Sequence, residues 1–255
     1  MTVAALTDPA LSPVAHGFFT RLGGVSTGAF ASLNCSLSGK DDPDAVAENR
    51  ARAAGWLGVG HAALVGLYQV HSADVAVLEE PWGIDARPRA DAVVTRRRGL
   101  ALGIVTADCA PVLFADAEAG VIGAAHAGWR GAFAGIIEAT VAAMERLGAA
   151  RGRIAASVGP CIRQPSYEVD EAFRAQFLAA DPANARFFAP GARAGHVQFD
   201  LAGYCDDALA ACGIARRGVV PADTLAEPGR FFSYRRATLA KEGPIGHQLS
   251  AIVLE

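Results

Sequence analysis

The sequence has little charge and no long hydrophobic segment. Charged residues make up 19% of its 255 positions and the formal net charge is −3, so the chain lacks the basic surface that nucleic-acid binding requires. Every apolar stretch stops short of the ~20 residues needed to cross a bilayer, and the N-terminus does not read as a secretion signal. These absences predict a cytoplasmic protein with no nucleic-acid or membrane partner.

Cysteine is scarce as well, and its number is odd. The five cysteines are Cys35, Cys109, Cys161, Cys205 and Cys212. A chain of this length that is 52% hydrophobic can bury a core without disulfide bonds, so reduced thiols are expected. One of these thiols is then available as a metal ligand or a nucleophile.

Nothing in the composition divides the chain, so residues 1–255 are predicted to form a single domain. Strand-like apolar runs alternate with segments of helical periodicity, which indicates an α/β (α+β) fold of mixed β-sheets with flanking helices in layers. Helices are predicted at 41–58 and at 131–147, the second with an apolar face toward a sheet. Strands are predicted at 231–236 and 247–255.

Three residues with metal-binding or nucleophilic side chains stand where apolar runs break into turns: His71 in QVHS, Cys109 in TADCAPV and His126 in AHAGWRG. One thiolate and two imidazoles suit zinc or copper, and three protein ligands leave a fourth position for water or substrate. The residues are far apart in sequence, so the site depends on the fold. The alternative is that each histidine is an ordinary buried one and Cys109 a small core residue. Asp108 is a candidate to orient a ligand histidine.

The segment HAGWRG also has the features of an anion pocket. Gly128 and Gly131 let an anion approach the backbone closely where a helix begins and its N–H groups are unpaired, and Arg130 adds a positively charged guanidinium. The alternative is a glycine turn with a surface arginine, since the lysine of a P-loop does not follow. Cys161 ranks below Cys109 as a functional thiol because no neighbouring charge lowers its pKa. Further polar candidates near turns are Arg21, Asn34, Arg50, Tyr167, Glu168, Arg235 and Arg236.

Together the motifs resemble those of the YfiH/laccase-domain family, also described as multicopper polyphenol oxidase-like and purine nucleoside phosphorylase-like. The resemblance rests on HGFFTRLGGVS, SLN, DDP with ENR, QVHS, ADAVVT, TADCAPVL, HAGWRG, GPCI with YEVD, and FFSYRR, in family order between residues 16 and 236. It implies a zinc ion, with copper as a possible substitute, held by His71, Cys109 and His126. It also implies a fold similar to that of CNF-toxin-type cysteine hydrolases.

The same resemblance implies phosphorolysis of adenosine, inosine and S-methyl-5'-thioadenosine, with adenosine deamination as a side activity. The residues carried over as catalytic are His71, Cys109, His126 and Arg130. Those carried over as substrate or phosphate ligands are Arg50, Gly128, Arg130 and Gly131. The expected partners are a purine nucleoside and phosphate, and a monomer is favoured.

The chain departs from the family pattern where extra cysteines often stand. It has Ser166 in place of a second cysteine before YEV, and Asp223 with Thr224 in place of Cys-Thr before FFSYRR. Neither departure touches the three proposed metal ligands. Both weaken any mechanism that uses those cysteines as ligands or nucleophiles.

Four other functions remain open at this stage. A four-copper oxidase needs about ten histidines, and the chain has 6, although copper in the zinc site could still support weak phenol oxidation. Cys109 and His126 could instead act as nucleophile and base in a metal-free cysteine hydrolase. The substrate could be a UDP-linked sugar–amino acid, as in editing of peptidoglycan precursors. A metal-binding regulatory module without turnover is the last alternative.

Overall fold

The chain alternates short strands with helices, and the computed structural model describes residues 2–254. Numbered along the chain, the strands are β1 (Ala5–Leu6), β2 (Ala15–Phe19), β3 (Leu64–Val65), β4 (Val75–Val77), β5 (Ala92–Thr95), β6 (Ala101–Thr106), β7 (Ala110–Asp116), β8 (Val121–Ala127), β9 (Ala155–Val158), β10 (Glu168–Asp170), β11 (Phe188–Pro190), β12 (His196–Phe199), β13 (Arg216–Val219) and β14 (Gln248–Val253). The α-helices are α1 (Pro43–Trp56), α2 (Trp129–Phe133), α3 (Ile136–Arg146), α4 (Glu171–Ala180), α5 (Leu201–Ala211) and α6 (Tyr234–Ala240). Short 3-10 helices occupy Pro9–Leu11, Gly28–Phe30, His61–Ala63, Ile84–Ala86, Gln164–Ser166 and Pro182–Phe187.

The strands form mixed sheets, which confirms the predicted α/β class. Within residues 2–254, a six-stranded sheet has the order β13-β9-β7-β8-β5-β4, a five-stranded sheet the order β1-β2-β14-β6-β3, and a small sheet the order β10-β12-β11. The pairs β13–β9, β3–β6 and β4–β5 are parallel, and the other pairs are antiparallel. In the same part of the chain, no helix is long and apolar enough to cross a membrane.

Alternation along β7 explains the layering. Because successive strand residues face opposite sides, Val112 and Phe114 pack toward α3 and α5, whereas Leu113 and Ala115 pack between the two large sheets. All of β7 is buried, as expected for a strand covered on both faces. Helix α1 covers the outer face of the five-stranded sheet. The layers are therefore helix, sheet, sheet and helix.

The predicted helix 131–147 is two helices. Gly135 takes a left-handed conformation with φ 89° and separates α2 from α3, a backbone geometry that glycine adopts without steric cost. The predicted apolar face lies on α3, where Ile136, Ile137 and Val141 are buried against the six-stranded sheet. The break lets α2 turn the WRG segment toward the site described below.

The segment 231–236 is not a strand, and that prediction was wrong. Phe231 and Phe232 are buried in an irregular segment, and Ser233 then caps α6 by accepting a hydrogen bond from the Arg236 backbone N–H. The sequence pattern does not distinguish a serine that caps a helix from a polar residue within a strand, and two adjacent phenylalanines fit a strand as well as a buried loop. The predicted helix at 41–58 is confirmed by α1. The predicted strand at 247–255 is confirmed by β14, apart from Glu255, which lies outside the described residues.

Candidate metal centre and adjoining cavity

The fold brings His71, Cys109 and His126 together. Their ligand atoms all lie within 4.8 Å of one another, and His71 Nε2 is 3.9 Å from Cys109 Sγ. Cys109 precedes β7 and His126 lies near the end of β8, and the pairing of Pro111 with His126 makes the two residues neighbours. His71 lies in the loop between β3 and β4, and its ring contacts the His126 ring edge-to-face, with the two centroids 4.7 Å apart.

Asp91, at the entry of β5, fixes two of these three residues. Its buried carboxylate accepts hydrogen bonds from the backbone N–H groups of Val70, His71 and Ser72 and contacts His126 Nδ1 at 2.8 Å. These bonds hold the turn in which His71 has φ 62°. Burial would raise the Asp91 pKa, but hydrogen bonds from His126 and the backbone, together with the charge of His126, lower it to about 2. A proton held at His126 Nδ1 leaves Nε2 as the metal-facing nitrogen.

Asp91 was not among the residues predicted from the sequence, and Asp108 was the candidate for this orienting role. The structure assigns Asp108 differently: its carboxylate accepts from Thr224 Oγ1 at 2.6 Å, from Ser233 Oγ at 2.9 Å and from the Arg235 backbone N–H at 2.6 Å. Asp108 therefore ties the turn before Cys109 to the start of α6. The signal for Asp91 was an acidic residue opening the otherwise apolar strand AVVT, a position where a carboxylate needs buried partners.

The two glycines of HAGWRG are required by close packing at the metal ligands. A Cβ at Gly128 would lie 2.9 Å from His71 Cδ2 and 3.0 Å from Cys109 Sγ, and one at Gly131 would lie 2.9 Å from the Ser72 carbonyl oxygen. These distances are too short for a real side chain, so both positions need glycine whether or not an anion binds there.

Arg130 lies at this site, whereas Arg50 does not. The Arg130 side chain is exposed, stacks 4.4 Å over the Trp129 ring, and makes no hydrogen bond or ion pair within residues 2–254. Arg50 is 4% exposed and donates to the carbonyl oxygens of Cys35 and Leu64. Its guanidinium is thus occupied by backbone groups, and it supports the segment that leads into the cavity wall instead of lining the cavity.

The trio opens into a cavity of about 700 Å³, a size typical of small-molecule sites. One side of the cavity, formed by Trp129, Arg130, Tyr167 and Arg235, is shared with a neighbouring open cleft of about 680 Å³. Thr106, His247 and the 36–39 segment line the cavity but not that cleft. A ligand at the trio therefore meets exposed positive charge on one side.

The thiol of Cys109 and the imidazole of His126 are coupled. Burial would raise the Cys109 pKa, but the charge of His126 and hydrogen bonds from both histidines lower it to about 6. Burial would lower the His126 pKa, but the charge of Cys109 and the bond to Asp91 raise it to about 9. Without metal, these opposite shifts favour a thiolate paired with an imidazolium. Cys161 differs, because burial raises its pKa to about 12.

This donor set fits a zinc ion. Tetrahedral zinc, with bonds near 2.3 Å to sulfur and 2.0–2.1 Å to nitrogen, places a ligand nitrogen about 3.6 Å from a ligand sulfur. The His71 Nε2 to Cys109 Sγ distance of 3.9 Å needs only a small contraction to match. One thiolate, two imidazoles and an open side toward the cavity are the ligand pattern of a catalytic site, and copper is compatible with the same donors.

Comparisons with known proteins agree with this picture. The family model described as multi-copper polyphenol oxidoreductase laccase matches residues 15–255. A Streptomyces griseus protein named purine nucleoside phosphorylase is 46% identical over 92% of this chain and 94% of its own. A Neisseria meningitidis protein of the DUF152 family superposes with a TM-score of 0.87 and 33% identity, covering 100% of both chains. YlmD from Geobacillus stearothermophilus superposes with a TM-score of 0.90 and 30% identity, covering 100% of this chain and 97% of its own.

Proposed function

The chain belongs to the laccase-domain family, and from that premise we propose that it is a zinc-dependent purine nucleoside phosphorylase. Its proposed substrates are adenosine, inosine and S-methyl-5'-thioadenosine, with adenosine deamination as a side activity. The observation that carries the proposal is the meeting of His71, Cys109 and His126 beneath a nucleoside-sized cavity whose rim holds the unpaired Arg130 guanidinium. Relatives named purine nucleoside phosphorylase support the reaction class.

Phosphorolysis joins a phosphate oxygen to the anomeric carbon of ribose while the bond from that carbon to the purine nitrogen breaks. In the proposed mechanism Arg130 binds the phosphate, and its stacking on Trp129 limits the guanidinium to the rim of the cavity. Asp91 holds the His126 ring and its Nδ1 proton in place. A zinc ion held by the trio would supply Lewis acidity. Trp129 and Tyr167 wall the cavity and restrict water.

Substituting Arg130 with alanine is expected to raise the KM for phosphate about 10- to 100-fold, because a charge-assisted hydrogen bond contributes about 1.5–3 kcal/mol. Initial rates at varied phosphate and fixed inosine measure the effect. Arg89→Ala is the matched control, since Arg89 is also exposed and stacks on an aromatic ring, that of Tyr68, but does not line the cavity. An unchanged dependence of rate on phosphate in Arg130→Ala would remove Arg130 from the phosphate site.

A second candidate function has its own observation. Cys109, His126 and Asp91 form the series of nucleophile, base and orienting acid that a metal-free cysteine hydrolase uses, and the Cys109 pKa of about 6 favours a thiolate. A nucleotide-linked cell-wall precursor would then be the substrate to try. Chelation separates the candidates, because it activates a metal-free thiolate enzyme and stops a metal-dependent one.

Four-copper oxidation receives no support from the positions of the histidines. His16 is bonded through both ring nitrogens to the 8–14 segment, and His196 lines the neighbouring cleft. Within residues 2–254, a single cluster of three or more candidate ligands is found, and it contains two histidines. A mononuclear copper site is the most that this arrangement offers to a phenol oxidase.

Zinc binding is expected to release about one proton near pH 7.5. His126, with its pKa raised to about 9, is charged in the metal-free protein and must lose a proton to bind, whereas Cys109, with its pKa lowered to about 6, is already a thiolate. Titration calorimetry in buffers of different ionisation enthalpy gives the proton count as a slope. Release should approach zero well above pH 9 and should increase as the pH falls toward 6, where Cys109 takes up a proton in the metal-free protein. A release of two protons at pH 7.5 would show that the metal-free pair is a thiol and an imidazolium.

A further inference from the structure

The part of the cavity wall that the neighbouring cleft does not share contains polar atoms that the proposed chemistry does not use. Thr106 Oγ1 and His247 Nδ1 are enclosed and have no hydrogen-bond partner within the described residues. Both residues line the cavity of the trio and neither lines the neighbouring cleft. Thr106 is 1% exposed, so this part of the wall is polar and almost completely desolvated.

The position of His247 is fixed by its backbone. Its N–H donates to Asn34 Oδ1 at 2.9 Å, and its carbonyl oxygen accepts from the Cys35 N–H at 3.0 Å. Asn34 is buried and donates in turn to Asp41. The Arg50 guanidinium donates a hydrogen bond to the Cys35 carbonyl oxygen. The motifs SLN and ENR therefore serve to place one imidazole in the cavity wall.

The ring itself has no fixed tautomer. In His126 and in His16 a protein acceptor contacts Nδ1 and so assigns the proton, whereas His247 Nδ1 has no such partner among residues 2–254. Nε2 is then the nitrogen available to a ligand. Burial, with a smaller contribution from the charge of His126, lowers the His247 pKa to about 4, so the ring is neutral near pH 7. A neutral imidazole can either donate or accept at Nε2, according to which nitrogen carries the proton.

We propose that His247 reads the 6-position of the purine base and that its free tautomer lets the site accept both 6-amino and 6-oxo purines. The inference rests on the proposed function. Adenine presents an amino donor at this position and hypoxanthine presents a carbonyl acceptor, so a group of fixed polarity would favour one of them. The location agrees with the chemistry, because phosphate attacks the sugar from the side opposite the base, and His247 lies outside the part of the wall that Arg130 shares with the neighbouring cleft.

The test compares three nucleosides: adenosine, inosine and purine riboside, which has no 6-substituent. In His247→Phe, kcat/KM for adenosine and for inosine should fall about tenfold relative to kcat/KM for purine riboside, the loss expected for one hydrogen bond of about 1 kcal/mol. His247→Asn should recover both, since a carboxamide offers an N–H and a carbonyl oxygen. His196→Phe is the matched control in the neighbouring cleft and should leave the ratios unchanged. Equilibrium binding of the same nucleosides, measured without phosphate, should follow the same order.

The possible failures are distinct. If the unsubstituted protein neither binds nor converts any of the three nucleosides, the proposed function fails and this inference fails with it. If it converts them and His247→Phe lowers all three equally, or none, His247 does not read the 6-position and the proposed function stands. If His247→Phe loses activity toward only adenosine or only inosine, the imidazole has a fixed tautomer, and the proposal that it recognises both 6-amino and 6-oxo purines is wrong.

Discussion

Replacing Cys109 with alanine is expected to abolish stoichiometric zinc binding and to lower phosphorolysis by at least about a thousandfold. The thiolate is the anionic ligand of the trio, and its loss leaves only two imidazoles to hold a divalent ion, one ligand fewer than a catalytic zinc site uses. Metal content by mass spectrometry and turnover of inosine measure the two effects. Because Cys109 is partly exposed, its truncation leaves little buried cavity and the variant should fold.

Cys161→Ala is the control for this experiment. Cys161 is fully buried, and burial raises the pKa of its thiol to about 12, so this cysteine is not expected to bind metal. Its substitution should lower the stability of the fold without removing metal. Full activity in metal-free Cys109→Ala would exclude both the zinc enzyme and the cysteine hydrolase.

Substituting Asp91 with asparagine is expected to lower zinc affinity about 10- to 100-fold and to destabilise the fold by about 3–5 kcal/mol. The carboxylate accepts from three consecutive backbone N–H groups and contacts His126, and an amide nitrogen would meet donors that it cannot pair with. Both the His71 turn and the His126 ring should loosen. Competition with a chromophoric chelator measures zinc affinity, and urea unfolding measures stability.

Asp108→Asn provides the matched comparison for Asp91. Asp108 is also buried, and its carboxylate accepts three hydrogen bonds, but the donors lie at Thr224 and at the start of α6, and none is a ligand histidine. Its substitution should destabilise the protein to a similar degree while reducing zinc affinity much less. Equal losses of zinc affinity in the two variants would mean that Asp91 acts only through general stability.

The sequence was sufficient to find the trio because its residues have distinctive chemistry and stand at breaks in apolar runs. His71, Cys109 and His126 needed no distance information to be chosen together once the motif order was recognised. The mixed sheets followed from alternating apolar segments, and β7 and β8 lie where such segments were found. What these patterns did not contain was the pairing of β7 with β8, which makes Cys109 and His126 neighbours.

The supporting residues could not be predicted because their roles depend on distant backbone groups. Asp91 acts through N–H groups about twenty positions earlier in the chain, and no local pattern links them. Arg50 was a substrate candidate through the resemblance of its ENR motif, and only the structure shows that two carbonyl oxygens occupy its guanidinium. The departures at Ser166 and Asp223 hydrogen-bond to each other at 2.6 Å, a pairing of residues 57 positions apart.

The most direct test is product analysis of metal-quantified protein incubated with adenosine, with and without phosphate. A zinc-dependent phosphorylase predicts ribose 1-phosphate in an amount equal to adenine plus hypoxanthine, with both free bases formed only when phosphate is present and in proportion to bound zinc. Protein that carries one zinc ion per chain and leaves adenosine and inosine unchanged at every phosphate concentration would contradict the proposed function, and the cavity would then belong to a different substrate.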